Sequence, residues 1–370
     1  MLSTAGALIV GRAAMDEFAM GSRTPNVTNP SNPNCYAGGS SGGTASSVAS
    51  GIVSFGLCSD TGGSTRIPAS YCQIAGFRPT TNLVTRHGLT ELSSNMDSVG
   101  IMTRKVEQII PILRVLTQYD PKDMAQSTHN RMKLLFNDST FVDSSQYIPP
   151  KNIILNIAND LSHCTTQQID LFKSYHSRIL NPIKQILASQ NIITNDIQLP
   201  NNNDIIKTYY IYVCAQTRTN LARFRGERYN LNDAMDIATS DLLGKEPKYR
   251  YRLGELLLKS SDPDTLFNNL KRKLELWSKY ILGDNTYLLL PTHVEDTPIK
   301  TQLADNESVI DESYVILSSI LGLPSVTVPI IHSHINGGKA SSFQLVGPKY
   351  SDFDLLKIAT YLEKLISNSK

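Results

Sequence analysis

The amino-acid sequence predicts an α/β fold, and two stretches of the chain carry that prediction. Between residues 36 and 72, two glycine-serine clusters flank a run of small residues and an apolar run. This order predicts a loop, a helix, a strand, a second loop and a second helix. Between residues 153 and 199, one short apolar strand precedes an amphipathic helical segment and another follows it. Such alternation is typical of a sheet on which helices pack.

The composition is that of an ordinary globular protein. The chain has 370 residues, 41% hydrophobic and 18% charged, which is long enough to bury a large core. A net charge of +2, without a block of one sign, does not predict a nucleic-acid-binding face. Five widely spaced cysteines indicate neither a disulfide scaffold nor a zinc site, and they favour a reducing compartment. No apolar run has the length of a membrane span.

The glycine-serine clusters, residues 38–43 and 62–64, are the most informative part of the chain. Glycines beside a serine let backbone N–H groups converge on one point, because no side chain blocks the approach. A loop that runs into a helix adds the partial positive charge of the helix start at that point. The arrangement suits a serine nucleophile with an oxyanion hole beside it.

Three other interpretations of these clusters are weaker. A flexible linker separates domains, whereas the clusters flank an apolar segment. A phosphate-binding loop needs a lysine after its last glycine, but Gly43 is followed by Thr44 and Ala45. A G-x-S-x-G nucleophile elbow is formally present at residues 38–42, but turn-forming residues and not a strand precede it.

The stretch resembles the amidase signature, the motif that defines a large family of serine amidohydrolases. The match covers both clusters, the Arg66, Pro68 and Cys72 that follow them, and residues 76–80. The resemblance implies an amidase signature fold, in which a large central mixed β-sheet is flanked by helices on both faces. It also implies one amidase domain over residues 1–370, with a mostly helical, pocket-forming insertion at residues 200–285.

The same resemblance implies the catalytic residues. Ser64 is expected to be the nucleophile that forms the acyl-enzyme, and Ser40 a serine that bridges it to the base. The N–H groups of the loop before the nucleophile are expected to form the oxyanion hole, namely those of Thr61, Gly62 and Gly63, together with that of Ser64 itself. No metal site is implied.

The third catalytic group of the family is a lysine upstream of the first cluster, and it is missing here. Residues 1–39 contain no lysine, and the first in the chain is Lys105. Arg12 and Arg23 cannot replace it, because a guanidinium does not release its proton in a protein. We therefore expect an N-terminal segment with this lysine to be absent from the sequence, and little activity from the chain alone. His87 is an alternative base, although a lone loop histidine is more often a surface residue.

Three further strings resemble the glutamine-hydrolysing A subunits of tRNA-dependent amidotransferases, a branch of the same family. They lie at residues 15–22, 220–229 and 244–254. Ahead of the first string, residues 5–10 form an apolar run that predicts a short buried strand.

The resemblance to this branch implies a glutamine pocket. Arg250 is expected to meet the α-carboxylate of glutamine, and Tyr210 to line the pocket. Asp311 or Glu312 is expected to meet the α-amino group, and the sequence leaves the choice between the two acids open. Without the resemblance, Arg250 is expected on a solvated helix face, where most arginines lie.

The activity implied is hydrolysis of glutamine through a serine acyl-enzyme, with the ammonia passing to a partner B subunit. That partner uses ATP and Mg²⁺ to convert Glu-tRNA(Gln) to Gln-tRNA(Gln), and a small third subunit is expected. The chain itself is expected to hold no cofactor. The Asn-, Ile- and Lys-rich composition favours an AT-rich eukaryote and hence the mitochondrial matrix. The alternatives are a free-standing amidase and a catalytically impaired scaffold subunit.

Overall fold

The computed structural model describes residues 1–126, 153–158, 166–224, 243–300, 312–331 and 341–368. Within these ranges, eight strands form a single mixed sheet. They are β1 (Phe55–Asp60), β2 (Ala75–Arg78), β3 (Ser98–Thr103), β4 (Ile154–Ala158), β5 (Ile193–Ile197), β6 (Thr286–Pro291), β7 (Ser325–Ile330) and β8 (Ser341–Val346). Their order is β1-β3-β2-β7-β8-β6-β4-β5. The β4 strand is parallel to β5 and β6, and the other pairs are antiparallel.

The described part of the chain also contains ten α-helices. They are α1 (Gly42–Ala49), α2 (Arg66–Tyr71), α3 (Ile109–Leu116), α4 (Thr166–Tyr175), α5 (Asn181–Ser189), α6 (Asn202–Leu221), α7 (Lys245–Ser260), α8 (Pro263–Ile281), α9 (Ser313–Leu321) and α10 (Asp352–Asn368). Two of the long helices begin at polar caps, Asn201 before α6 and Asp262 before α8, whose side chains accept backbone N–H bonds of the first turn. No helix in these ranges is long and apolar enough to cross a membrane.

Each face of the sheet has its own hydrophobic core. Along β6, Tyr287 and Leu289 belong to the core formed with α3, α4, α5 and α10. Leu288 and Leu290 belong to the core formed with α6, α7, α8 and α9. Successive strand residues point to opposite faces, so this alternation shows that the sheet is buried on both sides. The predicted α/β fold, a mixed sheet with helices on both faces, is confirmed.

Several local predictions are also confirmed. The order of loop, helix, strand, loop and helix at residues 36–72 corresponds to α1, β1 and α2 with their loops. The amphipathic helical segment predicted between the strands of residues 153–199 consists of α4 and α5, which a π-helical turn at His176–Leu180 joins. The predicted helical insertion contains α6, α7 and α8, and residues 225–242 lie outside the described residues. The domain boundaries themselves stay a prediction.

The prediction of a buried strand at residues 5–10 is wrong. Leu8, Ile9 and Val10 are 90%, 83% and 72% exposed, and this segment has no strand assignment. An apolar run favours extended backbone, but a strand also needs a neighbour that pairs with its N–H and C=O groups. None of the described strands of the sheet pairs with this segment.

Candidate active site

The loop that carries Ser64 runs from the end of β1 into α2. Asp60, the last residue of β1, accepts hydrogen bonds from the N–H groups of Gly63 at 3.0 Å and Thr65 at 3.1 Å. Gly63 has a φ of +117°, a conformation that glycine adopts readily. A Cβ at this position would lie 2.4 Å from Val315 Cγ2. Asp60 and the close packing therefore hold the loop in one shape, with Ser64 half-buried at its end.

Two buried arginines balance the charge of Asp60. Arg66 Nε and Nη2 donate to its two carboxylate oxygens at 3.0 and 2.8 Å, and Arg78 Nη1 lies 3.3 Å from Oδ1. All three side chains are 0% exposed. Burial opposes ionisation of Asp60, but the two guanidiniums hold its pKa well below the usual range. Arg66 also donates to two serine hydroxyls of α9, so the network ties the loop to that helix.

The same contacts correct the predicted oxyanion hole. The N–H of Gly63 is engaged by Asp60, so the prediction now rests on the N–H groups of Thr61, Gly62 and Ser64. The Thr61 hydroxyl donates to the buried Asp97 at 2.6 Å, which anchors the beginning of the loop. Burial raises the pKa of Asp97, and its hydrogen bonds act in the opposite direction.

Ser40 lies in the other cluster and is 0% exposed. Its carbonyl oxygen accepts the N–H of Asp16 at 3.0 Å and the hydroxyl of Thr24 at 3.3 Å. Its Oγ has no hydrogen-bond partner within the part of the chain that the structure describes. A buried hydroxyl without a partner is rare in proteins, since it costs about 1–3 kcal/mol. The family resemblance implies that this atom bonds to the catalytic lysine, which residues 1–39 do not contain.

The substrate-pocket residues predicted from sequence converge in space. Tyr210 Oη donates to Glu312 Oε2 at 3.3 Å. The guanidinium carbon of Arg250 lies 5.6 Å from the centroid of the Tyr210 ring. Arg250 is only 7% exposed, so the alternative of a solvated helix face is wrong. Asp311 lies outside the described residues, and Glu312 is the acid that the structure places here.

Arg250 and Glu312 bring opposite charges to different parts of the Tyr210 side chain. Burial lowers the pKa of Arg250, but Tyr209, Glu246 and Tyr210 more than offset it, so the guanidinium stays charged. Its Nε donates to Glu246 Oε1 at 2.7 Å. Burial and the Glu312 carboxylate raise the pKa of Tyr210, so its hydroxyl stays protonated and donates. A cation and an anion on either side of one tyrosine suit a ligand with a carboxylate and an ammonium group.

Two residues of the site were not predicted from sequence. The Ser22 hydroxyl donates to Glu312 Oε1, and Ser22 is the last residue of the string at 15–22. Tyr209 connects the pocket with the nucleophile loop, because a Cβ on Gly62 would lie 2.1 Å from Tyr209 Oη. Its ring meets the Tyr210 ring edge-on, with the centroids 5.3 Å apart. Adjacent tyrosines on a helix point in different directions, so a motif could not show that both serve the site.

The remaining sequence candidates do not join this cluster of contacts. His87 is exposed, and its N–H donates to Thr85 Oγ1 at 3.2 Å. It lines a surface cleft with Arg86, Glu91 and Arg223. Among the described residues, no group of three or more His, Cys, Asp and Glu side chains could hold a metal ion.

Comparison with known proteins gives the family. The profile of the family described as Amidase matches residues 1–356. The A subunit of glutamyl-tRNA(Gln) amidotransferase from Helicobacter hepaticus is 32% identical over 374 residues, which cover 97% of this chain and 80% of the relative. The same protein from Sulfurimonas denitrificans is 33% identical over 385 residues, covering 99% of this chain and 81% of the relative.

Solved structures of the same fold agree with this result. The A subunit of glutamyl-tRNA(Gln) amidotransferase from Thermotoga maritima has a TM-score of 0.73 at 23% identity, covering 98% of this chain and 75% of that chain. Allophanate hydrolase of Kluyveromyces lactis has a TM-score of 0.75 at 19% identity, covering 98% of this chain and 56% of that chain. From its signature residues, its fold and its relatives, the chain belongs to the amidase family.

Proposed function

We propose that the chain is the glutamine-hydrolysing A subunit of a glutamyl-tRNA(Gln) amidotransferase. The observation that carries the proposal is the convergence of Arg250 and Glu312 on the side chain of Tyr210. A guanidinium near the ring and a carboxylate at the hydroxyl of a half-buried tyrosine match the two charged ends of a free amino acid. The names of the relatives support glutamine as that amino acid.

In the proposed reaction, Ser64 Oγ attacks the side-chain amide carbon of glutamine. The N–H groups of Thr61, Gly62 and Ser64 stabilise the oxyanion that forms. The C–N bond then breaks, ammonia leaves with the proton of the serine, and the glutamyl group remains as an ester on Ser64. Water attacks the ester and releases glutamate. Ser40 relays protons between Ser64 and a neutral base, which must be desolvated to act near pH 7.

The proposal also includes partners. The ammonia passes to a B subunit, which uses ATP and Mg²⁺ to activate Glu-tRNA(Gln), and a small third subunit completes the complex. We place this complex in the mitochondrial matrix on the basis of the Asn-, Ile- and Lys-rich composition. Co-purification of the tagged chain with mass spectrometry of its partners, together with cell fractionation, tests this part.

The substrate is tested with an analogue of L-glutamine that carries an electrophilic diazoketone in place of the amide. We expect the analogue to label Ser64 even when turnover is slow, because labelling needs a single attack and no deacylation. Mass spectrometry of the digested protein locates the adduct. Free glutamine should protect against labelling, whereas acetamide at the same concentration should not. Equal protection by both compounds would contradict an amino-acid pocket.

Two other functions remain as alternatives. A free-standing amidase is distinguished by its turnover of asparagine or acyl amides without any partner. A catalytically impaired scaffold subunit is favoured by one observation, the Ser40 hydroxyl that has no partner within the described ranges. For that alternative, the chain would enter the amidotransferase complex without reacting with the glutamine analogue.

A further inference from the structure

A buried histidine outside the proposed catalytic groups lies beside helix α2. His293 follows β6 and is 4% exposed. Its Nε2 lies 2.7 Å from Ser70 Oγ in α2, and its Nδ1 lies 2.6 Å from the carbonyl oxygen of Glu295. Ser70 Oγ also lies 2.6 Å from Ser342 Oγ in β8. A chain of hydrogen bonds thus connects α2 with β8 and with the segment after β6.

The direction of these bonds follows from the carbonyl group at one end. A carbonyl oxygen only accepts, so Nδ1 of His293 carries the proton and Nε2 of the neutral ring accepts. The Ser70 hydroxyl therefore donates to Nε2, and the Ser342 hydroxyl donates to Ser70 Oγ. Burial lowers the pKa of His293 to about 4, which keeps the ring neutral at physiological pH.

Helix α2 contacts both serine loops. It begins directly after Thr65, next to Ser64. On its side, Pro68 packs against the loop of Ser40, because a Cβ on Gly38 would lie 2.8 Å from Pro68 Cα. A shift of α2 therefore moves Ser64 relative to Ser40.

Hydrogen bonds matter more for this helix than for a longer one. At six residues, α2 is too short to be stable through its own backbone bonds. Apolar packing around Ile67 and Tyr71 is non-directional and permits small shifts. Arg66 fixes the start of the helix through its bonds to Asp60 and α9. The bonds of Ser70 have a preferred distance and angle, so they define the position of the second half of the helix.

We propose that His293 is a positioning residue, which through Ser70 holds α2 and the two serines in the arrangement that the reaction needs. The inference rests on the proposed function, in which Ser64 attacks and Ser40 relays protons. A hydrogen bond between a serine and a histidine could also activate the serine, which would make Ser70 a second nucleophile. Ser70 is 0% exposed, so no substrate reaches its hydroxyl.

Two substitutions separate positioning from simple packing. His293→Phe keeps a ring in the core but removes the acceptor for Ser70. His293→Gln keeps an acceptor oxygen for Ser70 and an NH₂ group for the carbonyl of Glu295. His176→Phe is the control, because this histidine lies in the π-helical turn and takes no part in the hydrogen bonds between His293, Ser70 and Ser342.

The first measurement is the rate at which the diazoketone analogue labels Ser64 in the full chain. We expect His293→Phe to lower the maximal rate about tenfold, since small misplacements of reacting groups cost one to two orders of magnitude. The half-saturating concentration should not change, because Arg250 and Glu312 lie on other elements. His293→Gln should restore the rate to within about threefold of the wild type. An unchanged maximal rate in His293→Phe would overturn the positioning role, even if the melting temperature fell.

The second measurement does not depend on activity. Amide hydrogen exchange at residues 61–71 should become about tenfold faster in His293→Phe, but not in His293→Gln or His176→Phe. Exchange in α10 serves as the internal reference. If the wild type is not labelled at Ser64, the proposed function has failed, and the exchange experiment still decides the inference. Unchanged protection of residues 61–71 in His293→Phe would then refute it.

Discussion

Asp60 Oδ1 accepts the N–H of Gly63 at 3.0 Å, so the carboxylate that ends β1 also shapes the loop leading to Ser64. The same carboxylate is the anion between two buried arginines. Asp60 therefore has two roles: it shapes the nucleophile loop, and it neutralises the two buried arginines.

We expect Asp60→Asn to destabilise the fold by about 3–5 kcal/mol, because it leaves Arg66 and Arg78 buried without their anion. Urea unfolding measures the change. The control is Asp196→Asn, which removes a surface ion pair with Lys184 in which the aspartate is 53% exposed, and which should cost less than about 1 kcal/mol. Equal effects of the two substitutions would contradict the role assigned to Asp60.

We expect Ser64→Ala to lower labelling by the glutamine analogue by roughly three orders of magnitude or more, as loss of a covalent nucleophile does. The variant should unfold at the same urea concentration as the wild type. Ser50→Ala, at the exposed end of α1, is the control and should react normally. An adduct found on Ser40 or Ser41 would show that the nucleophile is misassigned.

We expect Arg250→Ala to raise the half-saturating concentration of the analogue about a hundredfold, since it removes a buried charge-assisted contact. Glu312→Gln should act in the same direction through the α-amino group. Arg252→Ala, which changes an exposed arginine of the same helix, is the matched control. If Arg250→Ala and Arg252→Ala bind the analogue alike, Arg250 does not hold the carboxylate.

The stability of the fold should fall as pH rises through the titration of Asp352. This side chain is 0% exposed and accepts the N–H and hydroxyl of Thr80 at 2.8 and 2.6 Å. Burial raises its pKa to about 6, whereas an unfolded aspartate has a pKa of about 4. The folded state holds the proton more tightly, so this contribution is full below about pH 4 and is lost as pH approaches 6.

The test is the free energy of unfolding in urea, measured at several pH values for Asp352→Asn. We expect this variant to show a smaller decrease between about pH 4 and pH 6 than the wild type. Asp354→Asn, on the same helix and 62% exposed, should keep the wild-type pH dependence. If the free energy of unfolding of Asp352→Asn depended on pH as steeply as that of the wild type, Asp352 would not be the group that titrates.

We expect this chain alone to hydrolyse glutamine little or not at all. Ser40 Oγ has no partner in the described structure, and a serine at its ordinary pKa is a poor nucleophile. Full glutaminase activity of the chain by itself would contradict this, and the base would then be His87 or another residue of this chain.

The site could be predicted from sequence where its chemistry is local. Ser64 and the glycines before it lie in one short stretch, so their spacing alone indicated a nucleophile loop. The run at residues 5–10 shows the limit, because its apolar residues favour a strand, whereas pairing depends on a neighbour elsewhere in the fold. The sequence also could not predict that the Gly63 N–H donates to Asp60, since any N–H of the loop could have faced the substrate.

The sequence by itself determined the fold class, the family and the type of reaction, because hydrophobic periodicity and the signature residues act over short distances along the chain. Only the tertiary structure decided that Glu312 meets Tyr210, that Arg250 is buried, and that His293 reaches Ser70. These partners lie on different helices and strands, which the two cores bring together. Which side chains then meet depends on how those elements pack, and packing is a property of the whole molecule.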